Sequence, residues 1–248
     1  MIKQFFAAIG DVVFPPRCPG CSDIMRGQSA DIFCPECRRL IKFINDSLCP
    51  VCGRPFFDSA APDHICGDCL KRQPHFKIAR SMASFETIIM EAVHQFKYGH
   101  KLAVGEALGT LMANFSFPRF DYQGYDLVLP VPLHISKLRD RGFNQSLLLA
   151  RQLANKWMIP LDFSLLKRQK STLSQTGLNK KEREENIRGA FAVSEKKKAT
   201  GKKIILVDDV YTTGATLNEC AKTLRKAGAG EVAVLTLARV VQGQAQHN

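Results

Sequence analysis

No stretch of this chain approaches the roughly 20 consecutive apolar residues that a membrane-spanning helix needs. The apolar run from Ile2 to Phe14 is broken by Lys3, Gln4 and Asp11, and no small-residue cleavage site follows it. It predicts a short amphipathic helix, not a signal peptide, and a cytoplasmic protein. No G-x-x-x-x-G-K-[ST] occurs, which excludes the phosphate cradle of P-loop nucleotide hydrolases. Gly228-Ala229-Gly230 precedes an apolar run instead of following one, so it is no dinucleotide fingerprint. Acidic residues are also scarce, 23 against 35 Lys and Arg, leaving a formal net charge of +12.

The location of that excess is more telling than its size. Residues 1–75 carry nine basic and eight acidic side chains, whereas 137–203 carry seventeen against six. A field of this kind attracts a nucleic acid or a small substrate with several phosphates, although a solvated basic face needs no partner. Hydrophobic residues make up 45 % of the 248, enough for a packed α/β domain with a smaller module beside it.

Eight of the nine cysteines fall in four CxxC pairs, Cys18/Cys21, Cys34/Cys37, Cys49/Cys52 and Cys66/Cys69. A CxxC turn directs two sulfurs at one ion, and two such turns complete a tetrahedral shell of four. The pattern predicts two structural zinc sites in a double ribbon over residues 1–75, with neither metal keeping an open position for chemistry. A disulfide framework requires export, for which no signal is present. A thioredoxin-like redox site needs one CxxC, not four in series. Near-equal intervals favour sequential over interleaved pairing of the turns. Ligand thiols bind as thiolates, so two such sites shift the ribbon half from net +1 to −3. Basic character therefore belongs to the second domain, 76–248.

In that domain, 76–120 reads as a linker followed by helices, with Ile88, Ile89, Ala92, Val93 and Phe96 at helical spacing. Asp126 to Pro132 reads as a buried strand, and Leu149, Leu153 and Trp157 mark a helix that Asn144 can cap. A lysine-rich stretch, 167–203, contains a short strand at Phe191–Val193. Ile204–Val207 is a buried strand, Leu217, Cys220, Ala221 and Leu224 line the core face of a helix, and Val232–Ala238 is another strand. The alternation predicts an α/β fold with a mostly parallel sheet flanked by helices. Cys220 falls on the packing face and is no nucleophile.

The chemistry concentrates where the strand ending at Val207 gives way to Asp208-Asp209-Val210-Tyr211-Thr212-Thr213-Gly214-Ala215-Thr216. Amides at a helix start, a glycine for close approach and three threonine hydroxyls suit a phosphate. Two carboxylates beside a phosphate would repel it unless something neutral or cationic intervenes, such as ribose hydroxyls and magnesium. Phosphate at one end and diol-binding acids at the other describe ribose 5-phosphate.

Ile204 through Thr216 resembles the phosphoribosyl pyrophosphate motif of type I phosphoribosyltransferases. The whole chain resembles the ComF family, a group linked to competence and DNA uptake. That likeness runs through Phe14-Pro15-Pro16-Arg17-Cys18, the cysteine ribbon, Pro130-Val131-Pro132-Leu133, Arg139-Asp140-Arg141-Gly142-Phe143-Asn144-Gln145 and the stretch 175–191 with Arg183 and Asn186. The resemblance implies a type I phosphoribosyltransferase-like fold, with Asp208 and Asp209 on the ribose hydroxyls and Thr212–Thr216 around the 5-phosphate. It implies pyrophosphate near His134, Lys137, Arg139 and Arg141, with Arg183 arriving on a mobile loop, and Arg141 joining the acid pair in catalysis. It further implies phosphoribosyl pyrophosphate or a nucleotide, with magnesium, as ligand, and transfer of the phosphoribosyl group to an acceptor that the residues do not reveal. The alternatives are a non-catalytic single-stranded DNA module and a ribbon that docks a competence helicase or uptake channel; a DNA 5-phosphate in the sugar site would combine the first with ligand binding.

Overall fold

The computed structural model describes residues 16–25, 31–45, 47–56, 62–99, 101–170 and 180–241. The helix expected over Ile2 to Phe14 lies outside them. Among the described residues no helix is long and apolar enough to cross a membrane.

Four parallel strands form the central sheet: β1 (Ile78–Ser84), β2 (Leu127–Pro130), β5 (Lys203–Tyr211) and β6 (Glu231–Arg239), in the order β1-β6-β5-β2. Strands covered on both faces carry near-continuous apolar runs. β5 does so: Ile204 and Leu206 enter one core, while Ile205 and Val207 enter the other. One face is covered by α3 (Thr87–Tyr98), α4 (Leu102–Asn114) and α6 (Gln145–Trp157). The opposite face is covered by α9 (Ala215–Lys226) and an antiparallel pair, β3 (Leu166–Arg168) with β4 (Phe191–Val193). The remaining helices are short: α1 (Pro35–Leu40), α2 (Gly67–Lys71), α5 (Ile135–Arg141), α7 (Lys180–Ile187) and α8 (Lys196–Ala199).

The two ribbon halves settle on opposite faces. Cys18 and Cys37 join the core beneath α3 and α4, and Cys49, Cys52, Cys66 and Cys69 join the core beneath α9. The chain between them closes the β1 edge of the sheet. Ile44 N–H donates to the Met82 carbonyl at 3.0 Å, Ser84 N–H to Lys42 at 2.9 Å and Ala79 N–H to Val51 at 2.7 Å. An otherwise open strand edge is thereby satisfied.

The structure corrects three expectations. Residues 78–84, read as linker, form β1. Their sequence hides the strand because Arg80 and Ser81 are polar yet buried. The Arg80 guanidinium donates to the Pro118, Pro50 and Ala79 carbonyls, and the Ser81 and Thr236 hydroxyls meet at 2.6 Å. β5 does not stop at Val207; its pairing with β6 continues through Asp208↔Thr236, Val210↔Ala238 and Tyr211↔Arg239. The pyrophosphate loop expected after β2 contains a helix, α5, which His134 caps by accepting from Ser136 N–H at 3.3 Å. Asn144 caps α6 as expected, accepting from Ser146 N–H at 3.0 Å.

Candidate functional site

Because β5 runs to Tyr211, the connection to α9 is only Thr212-Thr213-Gly214. Gly214 caps the helix in the left-handed conformation (φ 77°), which disfavours any side chain at this position. The turn therefore presents the start of a 12-residue helix, whose first amides have no partner within the helix, to whatever lies beyond the strand ends. A cleft of about 100 Å³ borders the turn on the ribbon side, lined by Arg54, Arg72, Phe76, Thr212, Thr213 and Asn218 among others. Neither Asp208 nor Asp209 lines it.

The acid pair is more sheltered than the sequence implied, since it sits on the strand and not in a loop. Asp208 accepts from the Ser146 hydroxyl at 2.7 Å and from the Asp209 amide at 2.9 Å. Asp209 forms an ion pair with Lys97 from the last turn of α3, and its side chain is 13 % exposed. Burial, then the adjacent Asp209 charge, raises the Asp208 carboxyl to about 7. Burial acts upward on Asp209 as well, but Lys97, the Val210 amide and Arg141 together hold it below the ordinary carboxylate value. One acid stays ionised while its neighbour is poised to titrate near neutrality.

A set of cations encloses this pair. Lys137, half-buried on α5, has its ammonium pushed down by burial and by neighbouring Arg168, Arg141 and Lys97, with Asp209 opposing. Arg141 donates to the Gln145 side chain at 3.1 Å and stands 5.5 Å over the Tyr98 ring. Lys137 and Arg141 thus both act on Asp209 through their charge. Arg139 is exposed, and His134 spends its Nδ1 on the Ser136 amide and hydroxyl. Arg183 falls on α7, with its side chain outside the described set. Lys97, Ser146 and Arg168 were missed. Lys97 and Ser146 contact the acids from separate helices, and the charge of Arg168 acts on Asp208 from β3. Ser146 follows the Asn144-Gln145 stretch and Arg168 lies in the lysine-rich stretch, whereas nothing near Lys97 pointed to the site.

The cysteines group as two sequential quartets, Cys18/Cys21/Cys34/Cys37 and Cys49/Cys52/Cys66/Cys69, with all sulfurs of a quartet within 4.8 Å of one another. Cys21 and Cys34 Sγ lie 3.8 Å apart and Cys52 and Cys66 Sγ 3.6 Å, the spacing expected of thiolates about 2.3 Å from one zinc. Amides of Cys34, Cys37 and Cys66 each donate to a ligand sulfur at 3.4 Å, a bond that favours the thiolate. These are two zinc-binding sites.

Residues 9–70 match the double zinc ribbon domain family, and 144–248 match the phosphoribosyl transferase domain family. The chain is 31 % identical to Competence protein F of Haemophilus influenzae over 222 residues, 83 % of this chain and 96 % of that protein. It is 32 % identical to the DNA utilization protein YhgH of Salmonella typhimurium over 84 % of this chain and 90 % of that one. It is 30 % identical to Competence protein ComFC of Bacillus subtilis over 83 % of both.

Proposed function

This chain belongs to the ComF family, and we propose that it binds the 5-phosphoribosyl group of phosphoribosyl pyrophosphate, with magnesium, across the β5–α9 junction. The observation that carries the proposal is the junction itself. A glycine-capped helix start follows two strand-borne acids with only Val210 to Gly214 between, and lysines and arginines surround those acids. The amides and hydroxyls of Thr212–Thr216 receive the 5-phosphate. Asp208 and Asp209 hold the ribose hydroxyls, and Lys137 and Arg141 grip the pyrophosphate, the guanidinium in a fixed fork. Two adjacent carboxylates are a suitable hard-oxygen environment for a magnesium–ligand complex. Magnesium, when bound, neutralises charge on the departing pyrophosphate.

Lys97 adds a condition. Its ammonium already neutralises Asp209, so the ligand's hydroxyls must share or replace that contact. Transfer then breaks the bond between the anomeric carbon and the pyrophosphate oxygen and forms one to the acceptor. The cations stabilise charge that grows on the leaving group, while the acids orient the ribose.

Phosphoribosyl pyrophosphate with magnesium at about 100 times its Kd should raise the wild-type melting temperature by roughly 5 °C. The double variant Asp208→Ala, Asp209→Ala should lose that response. Equal shifts in both proteins would defeat the assignment.

Single-stranded DNA binding is an alternative function favoured by one observation, the exposed run Lys167, Lys170, Arg188, Lys196, Lys197 and Lys198 on neighbouring elements. If three phosphates are engaged there, affinity should fall roughly twentyfold between 50 and 200 mM salt. Glutamine at Lys167, Lys170 and Arg188 should flatten that slope in a fluorescence titration. A salt-insensitive interaction would exclude this surface.

A further inference from the structure

The two zinc centres are not equivalent in what they touch. Arg239, the last residue of β6, is 4 % exposed. A buried guanidinium requires hydrogen-bond acceptors and a compensating charge. Arg239 finds both in the second zinc ribbon. Its Nη1 donates to the Cys52 carbonyl at 2.7 Å, and its Nη2 lies 3.8 Å from the Cys52 sulfur. A four-thiolate zinc shell carries net −2, so the guanidinium sits against a fixed anion. Its other side faces the Tyr211 ring, 4.0 Å from guanidinium carbon to ring centre.

Tyr211 is the strand partner of Arg239 and ends β5, immediately before the Thr212–Gly214 turn. Its ring packs against Gly214 so closely that a Cβ there would collide with the hydroxyl and ring carbons. The contacts are therefore continuous: zinc ligand, guanidinium, aromatic ring, glycine cap, helix start. Among the described residues the first zinc centre shows no such chain of contacts to the turn. Its Cys18 and Cys37 pack with Phe33, Ile41 and Ile89 in the core on the other sheet face. The second ribbon also reaches α7, where Arg72 meets Glu184 at 2.5 Å.

We infer that Arg239 is a positioning residue that ties the second zinc centre to the Thr212–Gly214 turn, so that this centre, and not the first, holds the turn in its binding geometry. The inference rests on the phosphoribosyl assignment of that turn only for its consequence, not for its mechanics. A flat guanidinium on a ring fixes the ring plane, and the ring in turn leaves the backbone at Gly214 one course. Lysine keeps the charge at this position but loses the fork and the stacking.

The test uses full-length, zinc-loaded protein and three measurements: zinc per chain, amide hydrogen exchange over 212–217, and affinity for magnesium phosphoribosyl pyrophosphate. Arg239→Gln should keep two zinc ions, speed exchange of the turn about tenfold and weaken the ligand about tenfold. Arg239→Lys should recover only part of each. Tyr211→Leu should reproduce Arg239→Gln, and Tyr211→Phe, which keeps the ring, should resemble wild type. Cys21→Ser in the first centre should leave exchange of the turn unchanged, whereas Cys69→Ser in the second should accelerate it. Unchanged exchange in Arg239→Gln with both zincs retained overturns the inference. If Arg239→Gln does not fold, unchanged exchange in Tyr211→Leu overturns it equally. Faster exchange in a protein whose wild type ignores the ligand sustains the linkage and defeats the phosphoribosyl assignment instead.

Discussion

Zinc should leave this chain in two steps under a strong chelator, the first at least about tenfold faster than the second. The first shell is partly open: Cys21 is exposed and Cys34 half-buried. The second is closed, with Cys49, Cys52, Cys66 and Cys69 all buried. A chelator attacks a shell through its accessible sulfur, so Cys21 sets the fast phase and local opening of the second ribbon sets the slow one. The consequences should differ as much as the rates. A structural zinc site contributes roughly 10–16 kcal/mol, comparable to the whole stability of an ordinary domain at about 5–15 kcal/mol. Loss of the first zinc should undo the turn around Cys18–Cys37 while the sheet persists. Loss of the second removes the anion that Arg239 faces and loosens four buried cysteines in the same core as Leu206, Leu217 and Cys220. Cooperative melting should collapse with the slow phase and not with the fast one. Release of both ions at one rate, or melting that tracks the fast phase, would show that the shells are equally shielded or that the first supports the sheet.

Local patterns were legible in the sequence and long-range ones were not. The CxxC spacing disclosed both zinc shells because each ligand turn is complete within four residues. The apolar faces of α3, α6 and α9 and the strands β5 and β6 were legible for the same reason, since periodicity is a property of neighbours. β1 escaped notice because Arg80 is buried on carbonyls from Pro50 and Pro118, contacts that no window of sequence contains. The length of β5 was misjudged because two aspartates look like the end of a strand, yet backbone pairing with Thr236, Ala238 and Arg239 does not depend on side-chain polarity. At the site, the turn Thr212–Gly214 and the cations Lys137 and Arg141 could be read from a motif. Lys97 could not. It occupies a helix end like any solvated lysine and acquires its meaning only where its ammonium meets Asp209 on β5. Arg239 is a similar case: it looks like the charged stop of an apolar strand and proves to be sandwiched between a zinc ligand and an aromatic ring.

Affinity for magnesium phosphoribosyl pyrophosphate should rise about tenfold between pH 6 and pH 8 in wild type, and Asp208→Asn should abolish the Asp208-dependent part of that rise. Asp208 titrates near 7 because burial and its Asp209 neighbour oppose its ionisation, whereas Lys97 keeps Asp209 charged throughout this range. At pH 6 about one Asp208 in ten is ionised and at pH 8 about nine in ten, so a ligand that needs both charges gains one order of magnitude. Stability moves the other way. The folded chain holds a proton on Asp208 that the unfolded chain releases near its ordinary value of 3.8. The stabilisation from that proton is complete below the ordinary value and fades as pH climbs through 7. Asparagine keeps the Oδ1 that accepts from Ser146 and the Asp209 amide but carries no charge. Ligand-free Asp208→Asn should therefore melt roughly 3 °C above wild type at pH 8 and equal it near pH 5, while binding the ligand poorly at both. The ligand's own phosphates titrate in both proteins, so the difference between the two pH profiles, not either alone, reports the carboxyl. A profile that Asp208→Asn leaves unaltered would remove Asp208 from the ligand, and a lower melting temperature for the variant at pH 8 would show that its charge stabilises the empty protein after all.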